Sequence, residues 1–362
     1  MREGIIRTPL APYETFKDDP LRILRAVRFA ARFGYKIAPE MEQAAQYEDI
    51  KLALCTIISK ERVGEEVRKM LDGPRPLRAM ELLQRFGIYR PLLRLENEDE
   101  RPPSHEQHAI HMTRAASILL QDSDIVKQCF EVDRLPVEER RHLFLACMLY
   151  PYRHHPGNID PYPLQLGKLA LKLSGHESIQ AQAMLTHVDH VTTFLDEFDR
   201  IKNVLVPGTP EWKRFRVRLG HHVRVAGKTL HQWHPLILLF SIAHTAVRDH
   251  AEGVSSALID RHVELFRCMQ RMDVVHAYEM RPILSGVEIL ELASQVAGFE
   301  VAAGPWLGAL IERVVEWQLE EDGPGMEEHC NPDACKKFIL NYFQREQVQF
   351  KQGKATDKRK RK

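Results

Sequence analysis

Two adjacent acids and an arginine near the start of the chain are spaced to recognise a flat, polar partner. Asp18 and Asp19 precede Arg22, so the second carboxylate and the guanidinium stand about one helical turn apart at the start of a helix. The carboxylate offers hydrogen-bond acceptors and the guanidinium offers donors in a plane, so the pair can read the edge of a nucleobase. Taken alone, the same pattern is typical of an aspartate N-cap followed by an exposed arginine.

The helix that would carry this pair is bounded by clear signals. Asp19 is placed to accept backbone N–H groups at the N-cap, Pro20 suits the first turn, and Gly34 can adopt the positive φ that ends a helix. We therefore predict a helix from about Pro20 to Phe33. At about 100° per residue, its apolar and cationic positions fall in separate arcs. The apolar arc comprises Ile23, Ala26, Val27, Ala30 and Phe33, and the cationic arc comprises Arg22, Arg25, Arg28 and Arg32.

The rest of the chain repeats these helical signals. Apolar residues recur at three- and four-residue spacing, prolines stand just inside helix starts, and glycines stand just past helix ends. Ser285 and Glu288 have the spacing of a reciprocal capping box, and Gly304-Pro305 opens a further helix. With 362 residues and 44% apolar content, the chain can fill the cores of two or more domains. We predict an all-α fold.

The composition limits the classes of protein to consider. Lys and Arg number 51 against 50 for Asp and Glu, so the net charge of +1 creates no bulk field that attracts nucleic acid or an anionic membrane. The longest apolar run, Pro235 to Val247, is shorter than the roughly 20 residues of a membrane span and predicts a buried helix. The six cysteines are scattered and no signal-peptide pattern begins the chain, which favours reduced thiols and an intracellular location in cytoplasm, nucleus or mitochondrion.

Several segments resemble one known family. The acids and arginine lie in a block formed by Ile5–Leu10 and Thr15–Ala30, which is similar to the head–neck junction of the class II tRNA nucleotidyltransferases, the family of CCA-adding enzymes and poly(A) polymerases. Ile58–Glu66 resembles the neck motif of that family. Near the other end, three segments resemble the tail domain of the family, namely Pro282–Ile289, Gly304–Gly308 and Glu316–Leu319. The resemblance is weak in between, where the assignment follows by continuity.

The resemblance implies a protein template for the incoming nucleotide. In that family the second acid and the arginine of the junction motif pair with the Watson–Crick edge of CTP or ATP, in place of a nucleic-acid template. Carried over, this implies base reading by Asp19 and Arg22, with Asp18 as the leading acid. It also implies that Arg7 closes a flexible motif that helps the change from CTP to ATP, and that Arg25 supports the site.

Four further residues would support the template helix or hold RNA. The neck motif places Arg62 and Glu66 where they would brace that helix, although the same two residues could form an ordinary i,i+4 pair on a solvated face. Arg28 and Arg32 on the cationic arc could contact tRNA phosphate, or could pair with acids of a catalytic head.

The catalytic part of the family pattern is not found in this sequence. Family members hold two Mg²⁺ ions on an Asp-x-Asp pair that follows a Gly-Gly or Gly-Ser turn, upstream of the segment that starts here. Asp122-Ser123-Asp124 has the right spelling, but it follows an apolar helical run and the template motif, so we interpret it as a surface turn. We therefore expect no catalytic residue and no metal ligand in this chain, and no nucleotide transfer by the chain alone.

Other polar clusters have simpler interpretations. Histidines recur every third residue over His105–His111, which could suggest a metal site or a phosphohydrolase, but the chain contains no His-Asp dipeptide and a solvated cluster is favoured. His329, Cys330 and Cys335 could offer zinc ligands, yet no second pair has ligand spacing. The run Lys358–Lys362 could be a nuclear import address, a phosphate-binding arm or a solvated end.

These observations predict part of a CCA-adding tRNA nucleotidyltransferase, with tRNA as partner, CTP and ATP as substrates, Mg²⁺ held by the head, and no membrane. A non-catalytic RNA-binding module and a poly(A) polymerase are the alternatives, and the tail with Trp306 and Trp317 argues against the second. We predict five regions: the end of a head (1–17), a neck (18–100), a helical body (101–280), a helical tail (281–348) and a basic, disordered C-terminus (349–362).

Overall fold

A computed structural model describes residues 4–95, 105–121, 124–154, 161–230, 233–251, 253–321 and 330–346. Helices dominate these residues, so the predicted all-α fold is confirmed there. Three features singled out in the sequence lie outside the described residues, namely Asp122 with Ser123, His329, and the run Lys358–Lys362.

The elements follow one another with few extended segments. The first half contains β1 (Ile5–Ile6), α1 (Pro12–Asp18), α2 (Leu21–Phe33), β2 (Lys36–Ile37), α3 (Pro39–Ala45), α4 (Glu48–Thr56), α5 (Lys60–Leu71), α6 (Pro76–Arg85), α7 (Tyr89–Leu92), α8 (Gln107–Gln121) and α9 (Asp124–Phe130). The second half contains α10 (Val137–Leu149), α11 (Tyr162–Gln165), α12 (Gly175–Ile201), α13 (Pro210–Gly227), α14 (Trp233–Arg248), α15 (Ser256–Arg271), α16 (Gly286–Ala297), α17 (Pro305–Glu321) and α18 (Pro332–Arg345). Short 3-10 turns and one π-helical turn connect them at Val132–Arg134, Tyr150–Tyr152, Ala277–Glu279 and Leu166–Ala170.

The two short strands pair in parallel on either side of α1 and α2. Ile5 lies opposite Lys36 and Ile6 opposite Ile37, and the N–H of Ala38 donates to the carbonyl of Ile6 at 3.1 Å. A parallel pair needs a crossover connection, which α1 and α2 provide here. The pairing therefore ties the chain before α1 to the chain after α2.

The described residues form two compact units. One comprises the described parts of Met1–Glu197 and Thr229–Glu264, and the other those of Phe198–Lys228 and Leu265–Lys362. The limits of these units differ from the five regions proposed from the sequence, and that regional division stays a prediction.

Helix α2 begins one residue later than the sequence predicted. Pro20 is the N-cap, with helical backbone angles and no capping side chain, so the prediction that Asp19 is the N-cap was wrong. Asp19 is instead the C-cap of α1, and its carboxylate accepts the backbone N–H of Leu21 at 3.3 Å. The predicted end is confirmed, since Gly34 has φ 72° and its N–H donates to the carbonyl of Ala30.

The apolar arc of α2 packs against α5 and α6 in the first unit. Ile23, Val27 and Ala30 are fully buried, and each large aliphatic side chain buried in this way contributes roughly 1.5–3 kcal/mol relative to exposure. The prediction that Phe33 shares this arc was wrong, because Phe33 is the last residue of α2 and remains 48% exposed. It stacks on Phe29 of the same helix instead.

The longest apolar run of the sequence is a buried helix, as predicted. All residues from Pro235 to Val247 are buried within α14, which packs against α8 and α10. Its polar side chains are hydrogen-bonded, with Ser241 Oγ 3.1 Å from His262 Nε2 and His244 Nδ1 2.8 Å from the hydroxyl of Tyr150. Within the described residues, none of the helices has both the length and the apolar character of a membrane span.

A buried carboxylate joins three helices of the first unit. Glu177 in α12 accepts two hydrogen bonds from Arg68 of α5, at 3.1 and 3.0 Å, and lies 3.0 Å from Nε of Arg141 in α10. Burial alone would raise the pKa of Glu177, but the hydrogen bonds from Arg68 and Ser174 outweigh burial and lower the pKa to about 2. Arg141 also donates to both oxygens of Asp72 at 2.8 Å. Glu177 is therefore ionised at neutral pH.

The second unit has a small apolar core between α16, α17 and α18. The predicted capping box is confirmed, because Ser285 N–H donates to Glu288 at 2.7 Å and Ser285 Oγ accepts the N–H of Glu288. Gly298 ends α16 in the left-handed conformation, with φ 75°. Trp317, which the sequence placed in the tail, stacks on Phe338 at 5.2 Å between ring centroids.

One glycine in α5 permits a close approach between backbones. A Cβ added at Gly64 would lie 1.8 Å from the carbonyl oxygen of Leu171, far inside any van der Waals contact. Gly308 also lies inside a helix, α17, but a Cβ there would meet no atom within 4 Å.

We predict that Gly64→Ala destabilises the protein by roughly 1–3 kcal/mol or more, the usual cost of overpacking, because the clash is with backbone and not with a flexible side chain. Gly308→Ala should be neutral, or should stabilise by about 0.5–1 kcal/mol, since alanine is the better helix former. Urea unfolding followed by circular dichroism measures both. Equal stabilities of the two variants would contradict the close contact.

Candidate functional site

The carboxylate of Asp19 occupies a fixed position at the junction of α1 and α2. Its backbone is extended, with φ −145° and ψ 93°, which breaks the helical path between the two elements. The hydrogen bond from the N–H of Leu21 to its Oδ1 orients the side chain, and 24% of the side chain remains exposed. One oxygen is thus anchored while Asp19 stays accessible from solvent.

Two arginines from different helices flank this carboxylate. Arg22 Nε of α2 lies 4.0 Å from Asp19 Oδ2, and Arg62 Nη2 of α5 lies 3.7 Å from the same oxygen. Both distances exceed that of a direct hydrogen bond, and both arginine side chains are about half exposed, at 47% and 49%. Asp19 therefore attracts both guanidiniums, while the planar donors and acceptors remain accessible to a ligand.

Glu66 fixes α5 against the cationic side of α2. Its buried carboxylate lies 2.6 Å from Arg28 Nε and 3.9 Å from Arg25 Nε. The alternative of an i,i+4 pair between Arg62 and Glu66 is wrong. Arg62 lies beside Asp19, just before α2, and Glu66 pairs with Arg28 on α2. A buried carboxylate is stable only with such partners. Because Arg62 is also on α5, the contact between Glu66 and α2 fixes the position of Arg62 beside Asp19.

An open depression of about 240 Å³ lies beside these side chains. Leu21 is the apolar residue of its lining, but it is only 2% exposed, so the depression is bounded mainly by charged side chains of α2 and α5. Asp19 and Arg22 lie next to the depression in the fold and are not among its lining residues. The lining residues are Leu21, Arg25, Glu61, Arg62, Glu65, Glu66 and Lys69.

Two of the predicted site residues, Asp18 and Arg7, do not line the depression. Asp18 is exposed at the last position of α1, directly before Asp19. Arg7 follows β1 and lies 3.5 Å from Glu40 of α3, with both side chains at least half exposed. The structure therefore brings Asp19, Arg22 and Arg62 together, and places Asp18 beside them in the chain.

The sequence reasoning missed an aromatic strip on α2. The rings of Phe29 and Phe33 stack nearly parallel at 6.0 Å, and both are more than one-third exposed. The guanidinium of Arg28 lies 4.1 Å from the Phe29 ring and that of Arg32 lies 5.6 Å from the Phe33 ring. The repeated Arg-Phe pair at a spacing of four was a signal for this strip, because residues i and i+4 share a helix face.

The other polar clusters have the character that the sequence suggested. His105 and His108 stack at 4.9 Å, His105 and His111 are exposed, and the cluster lies at the start of α8. All six cysteines are free thiols in the structure. Cys335 is buried in the core of the second unit, where burial raises the pKa of its thiol, and Cys330 is half-buried.

The neck and the fold have counterparts in known proteins. Residues 34–97 match the family described as "Probable RNA and SrmB- binding site of polymerase A". The mitochondrial CCA tRNA nucleotidyltransferase of Saccharomyces cerevisiae is 24% identical over 345 residues, which cover 88% of this chain and 60% of that protein. The CCA-adding enzyme of Geobacillus stearothermophilus is 41% identical over 88 residues, which cover 24% of this chain and 21% of that protein.

A solved structure extends the likeness to the fold. The crystal structure of the Bacillus stearothermophilus CCA-adding enzyme in complex with CTP is similar with a TM-score of 0.54 at 19% identity, covering 96% of this chain and 67% of that chain. At this identity the likeness concerns the fold. The chain spans about three fifths of the length of the first curated relatives, at 60% and 62%.

We predict that Glu66→Ala destabilises the first unit by about 3 kcal/mol, because removing one partner of a buried ion pair leaves the other unpaired. Glu61→Ala, an exposed carboxylate on the same helix, is the matched control and should change stability by less than about 0.5 kcal/mol. Denaturant unfolding of both variants provides the comparison. A Glu66 variant as stable as the Glu61 variant would show that the pair does not hold α5 to α2.

Proposed function

The chain is a member of the CCA-adding enzyme and poly(A) polymerase family, and we propose that it supplies the helices that select the nucleotide base and hold tRNA during CCA addition. The observation that carries this proposal is the carboxylate of Asp19 held between the guanidiniums of Arg22 and Arg62 beside an open depression. In this proposal CTP and ATP are the substrates, and the 3′ end of tRNA is the acceptor.

The chemistry of the two side chains explains a choice of C and A over U and G. Cytosine and adenine each present an amino donor beside a ring nitrogen acceptor, whereas uracil and guanine present a carbonyl acceptor beside a ring N–H donor. An ionised Asp19 can only accept and Arg22 can only donate, so together they match the first pair and repel the second. Arg62, 3.7 Å from the same carboxylate, adds a second donor beside Asp19.

The same site is unsuited to the Mg²⁺ ions that nucleotidyl transfer uses. Two-metal catalysis needs carboxylates free to coordinate both ions, but Asp19 lies within 4.0 Å of two guanidiniums whose charges oppose a bound cation. We therefore assign base selection to this site and give it no part in the chemical step of nucleotidyl transfer. Whether this chain transfers nucleotides alone is a matter for an incorporation assay with tRNA, CTP, ATP and Mg²⁺, and we expect no transfer.

RNA binding is assigned to the neck and in particular to Arg32. The match to an RNA-binding family over residues 34–97 supports RNA binding by the neck, and Arg32 lies two residues before the matched segment. Arg28 is less suited to a phosphate contact, because its guanidinium is only 15% exposed and lies 2.6 Å from Glu66. Arg32 is exposed at the end of α2 beside the ring of Phe33, where a nucleotide can meet both a cation and an aromatic face.

For the location of the protein, we propose an intracellular compartment. The Saccharomyces cerevisiae relative carries a mitochondrial name, and the basic run Lys358–Lys362 is a candidate nuclear import address. Fluorescent fusions with and without this run distinguish the two compartments. Loss of nuclear signal on removal of the run would support import, and mitochondrial signal in both fusions would oppose it.

We predict that the intact chain binds CTP and ATP more tightly than UTP and GTP, and that Arg22→Ala reduces this preference by about tenfold, the usual value of one good base contact. Isothermal titration with the four nucleotides measures the preference. Arg32→Ala is the matched control, because Arg32 is an exposed arginine at the other end of the same helix from the Arg22–Asp19 contact, and it should keep the preference. An unchanged preference in the Arg22 variant would remove the template assignment.

We predict the opposite result for tRNA. Arg32→Ala should weaken tRNA binding and lower the slope of log affinity against log salt by roughly 0.7–0.9, the value of one phosphate contact, whereas Arg22→Ala should leave the slope unchanged. Filter binding at several salt concentrations provides the slope. If both variants retain the slope of the original chain, the tRNA contact lies elsewhere, while the base-selection proposal still stands on its own result.

A further inference from the structure

Two histidines and a glutamate from distant parts of the chain meet in the first unit. Glu138 and His142 are four residues apart on α10, so both side chains project from one face of that helix. His176 is the second residue of α12. One potential ligand atom of each of the three residues lies within 4.8 Å of the corresponding atoms of the other two.

His142 is the buried member of this cluster, and its hydrogen bonding is incomplete. The residue is 2% exposed, and its Nε2 is buried without a hydrogen-bond partner among the described residues. Buried imidazole nitrogens are normally paired, because an unpaired polar atom costs about 1–3 kcal/mol in desolvation. The ring of His176 meets that of His142 edge-on, at 5.4 Å and 65°, and this contact supplies no hydrogen bond to the buried nitrogen.

The charges around the cluster leave it available to a cation. Arg141 is a positive charge that would repel a bound cation, and its Nη2 lies 3.9 Å from Glu138. Its guanidinium, however, donates to both oxygens of Asp72 at 2.8 Å and lies 3.0 Å from Glu177. The local positive charge is thus matched by carboxylates other than Glu138.

We propose that Glu138, His142 and His176 bind a divalent transition-metal ion of the Zn²⁺ class. Two imidazole nitrogens and one carboxylate oxygen are a donor set that zinc sites use, whereas Mg²⁺ and Ca²⁺ prefer oxygen alone. Metal ligands were not expected from the sequence, because no Asp-x-Asp pair follows a glycine turn, and His142 and His176, 34 residues apart, were not singled out. This site is separate from the base-selection residues and does not depend on the proposed function.

The consequence of such an ion would be a link between α10 and the first turn of α12. Glu177, next to His176, already joins these helices to α5 through Arg68 and Arg141. An ion held by two ligands on α10 and one on α12 would fasten the same contact from its other side. Since three protein ligands leave one position of a tetrahedral ion open, a water molecule would complete the coordination.

Titration of the tag-free, full-length chain with Co²⁺, a coloured substitute for Zn²⁺, tests the site without nucleotide or tRNA. We expect one ion per chain with the visible bands of tetrahedral Co²⁺, and no near-ultraviolet charge-transfer band of the kind that thiolates produce. Zn²⁺ should displace the Co²⁺ and remove the visible bands.

Three variants and one control decide the assignment. Glu138→Gln alters an exposed ligand that the fold does not need, while His176→Ala and His142→Gln remove the nitrogens. Each should weaken Zn²⁺ binding by at least about 100-fold, since even loss of an outer partner of a ligand costs 10–100-fold. His221→Ala is the matched control, because His221 also lies beside a glutamate, 3.7 Å from Glu316, and should leave the affinity unchanged.

Three outcomes would overturn the proposal. The first is an absence of stoichiometric binding by the original chain. The second is binding that survives Glu138→Gln and His176→Ala. A thiolate band would also overturn it, because such a band would assign the ion to cysteines such as Cys330 and Cys335. Because nucleotide preference is measured separately, each outcome leaves the test of base selection intact.

Discussion

The buried carboxylate of Glu66 is the contact on which the geometry of the neck depends. It receives Arg28 at 2.6 Å and approaches Arg25, so α5 is held along the cationic side of α2. That placement brings Arg62, one turn earlier on α5, to within 3.7 Å of Asp19 at the start of α2. Burial of Ile23 and Val27 on the opposite side of α2 makes the arrangement rigid. Base selection by Asp19 and Arg22 would therefore rest on an ion pair that touches no nucleotide.

The arginines of α2 serve different purposes although they share one arc of the helix. Arg22 lies beside Asp19, Arg28 is committed to Glu66, and Arg32 is exposed beside Phe33. In the proposed function, one helix of 13 residues, about 20 Å long, would carry both a base-reading end and an RNA-facing end. A single rigid element with both contacts would keep the incoming base and the RNA at a constant separation.

Local features of the structure could be predicted from the sequence, and tertiary contacts could not. The end of α2 at Gly34 and the capping box of Ser285 were predictable because each depends on neighbouring residues. The partners of Arg62 and Glu66 were not, since i,i+4 spacing permits a local pair and only packing decides against it. The template residues themselves were recognised by family resemblance, and the meeting of His142 with His176 depends entirely on how α10 and α12 pack.

A crystal structure of this chain with CTP would show directly where the base binds. We expect the cytosine ring beside Asp19 and Arg22, with its amino group about 3 Å from the carboxylate of Asp19 and its ring nitrogen about 3 Å from the guanidinium of Arg22. The contact between Asp19 and Arg62 should persist in the complex. A cytosine bound elsewhere, or bound in the depression without contact to either side chain, would contradict the assignment of base selection to this pair.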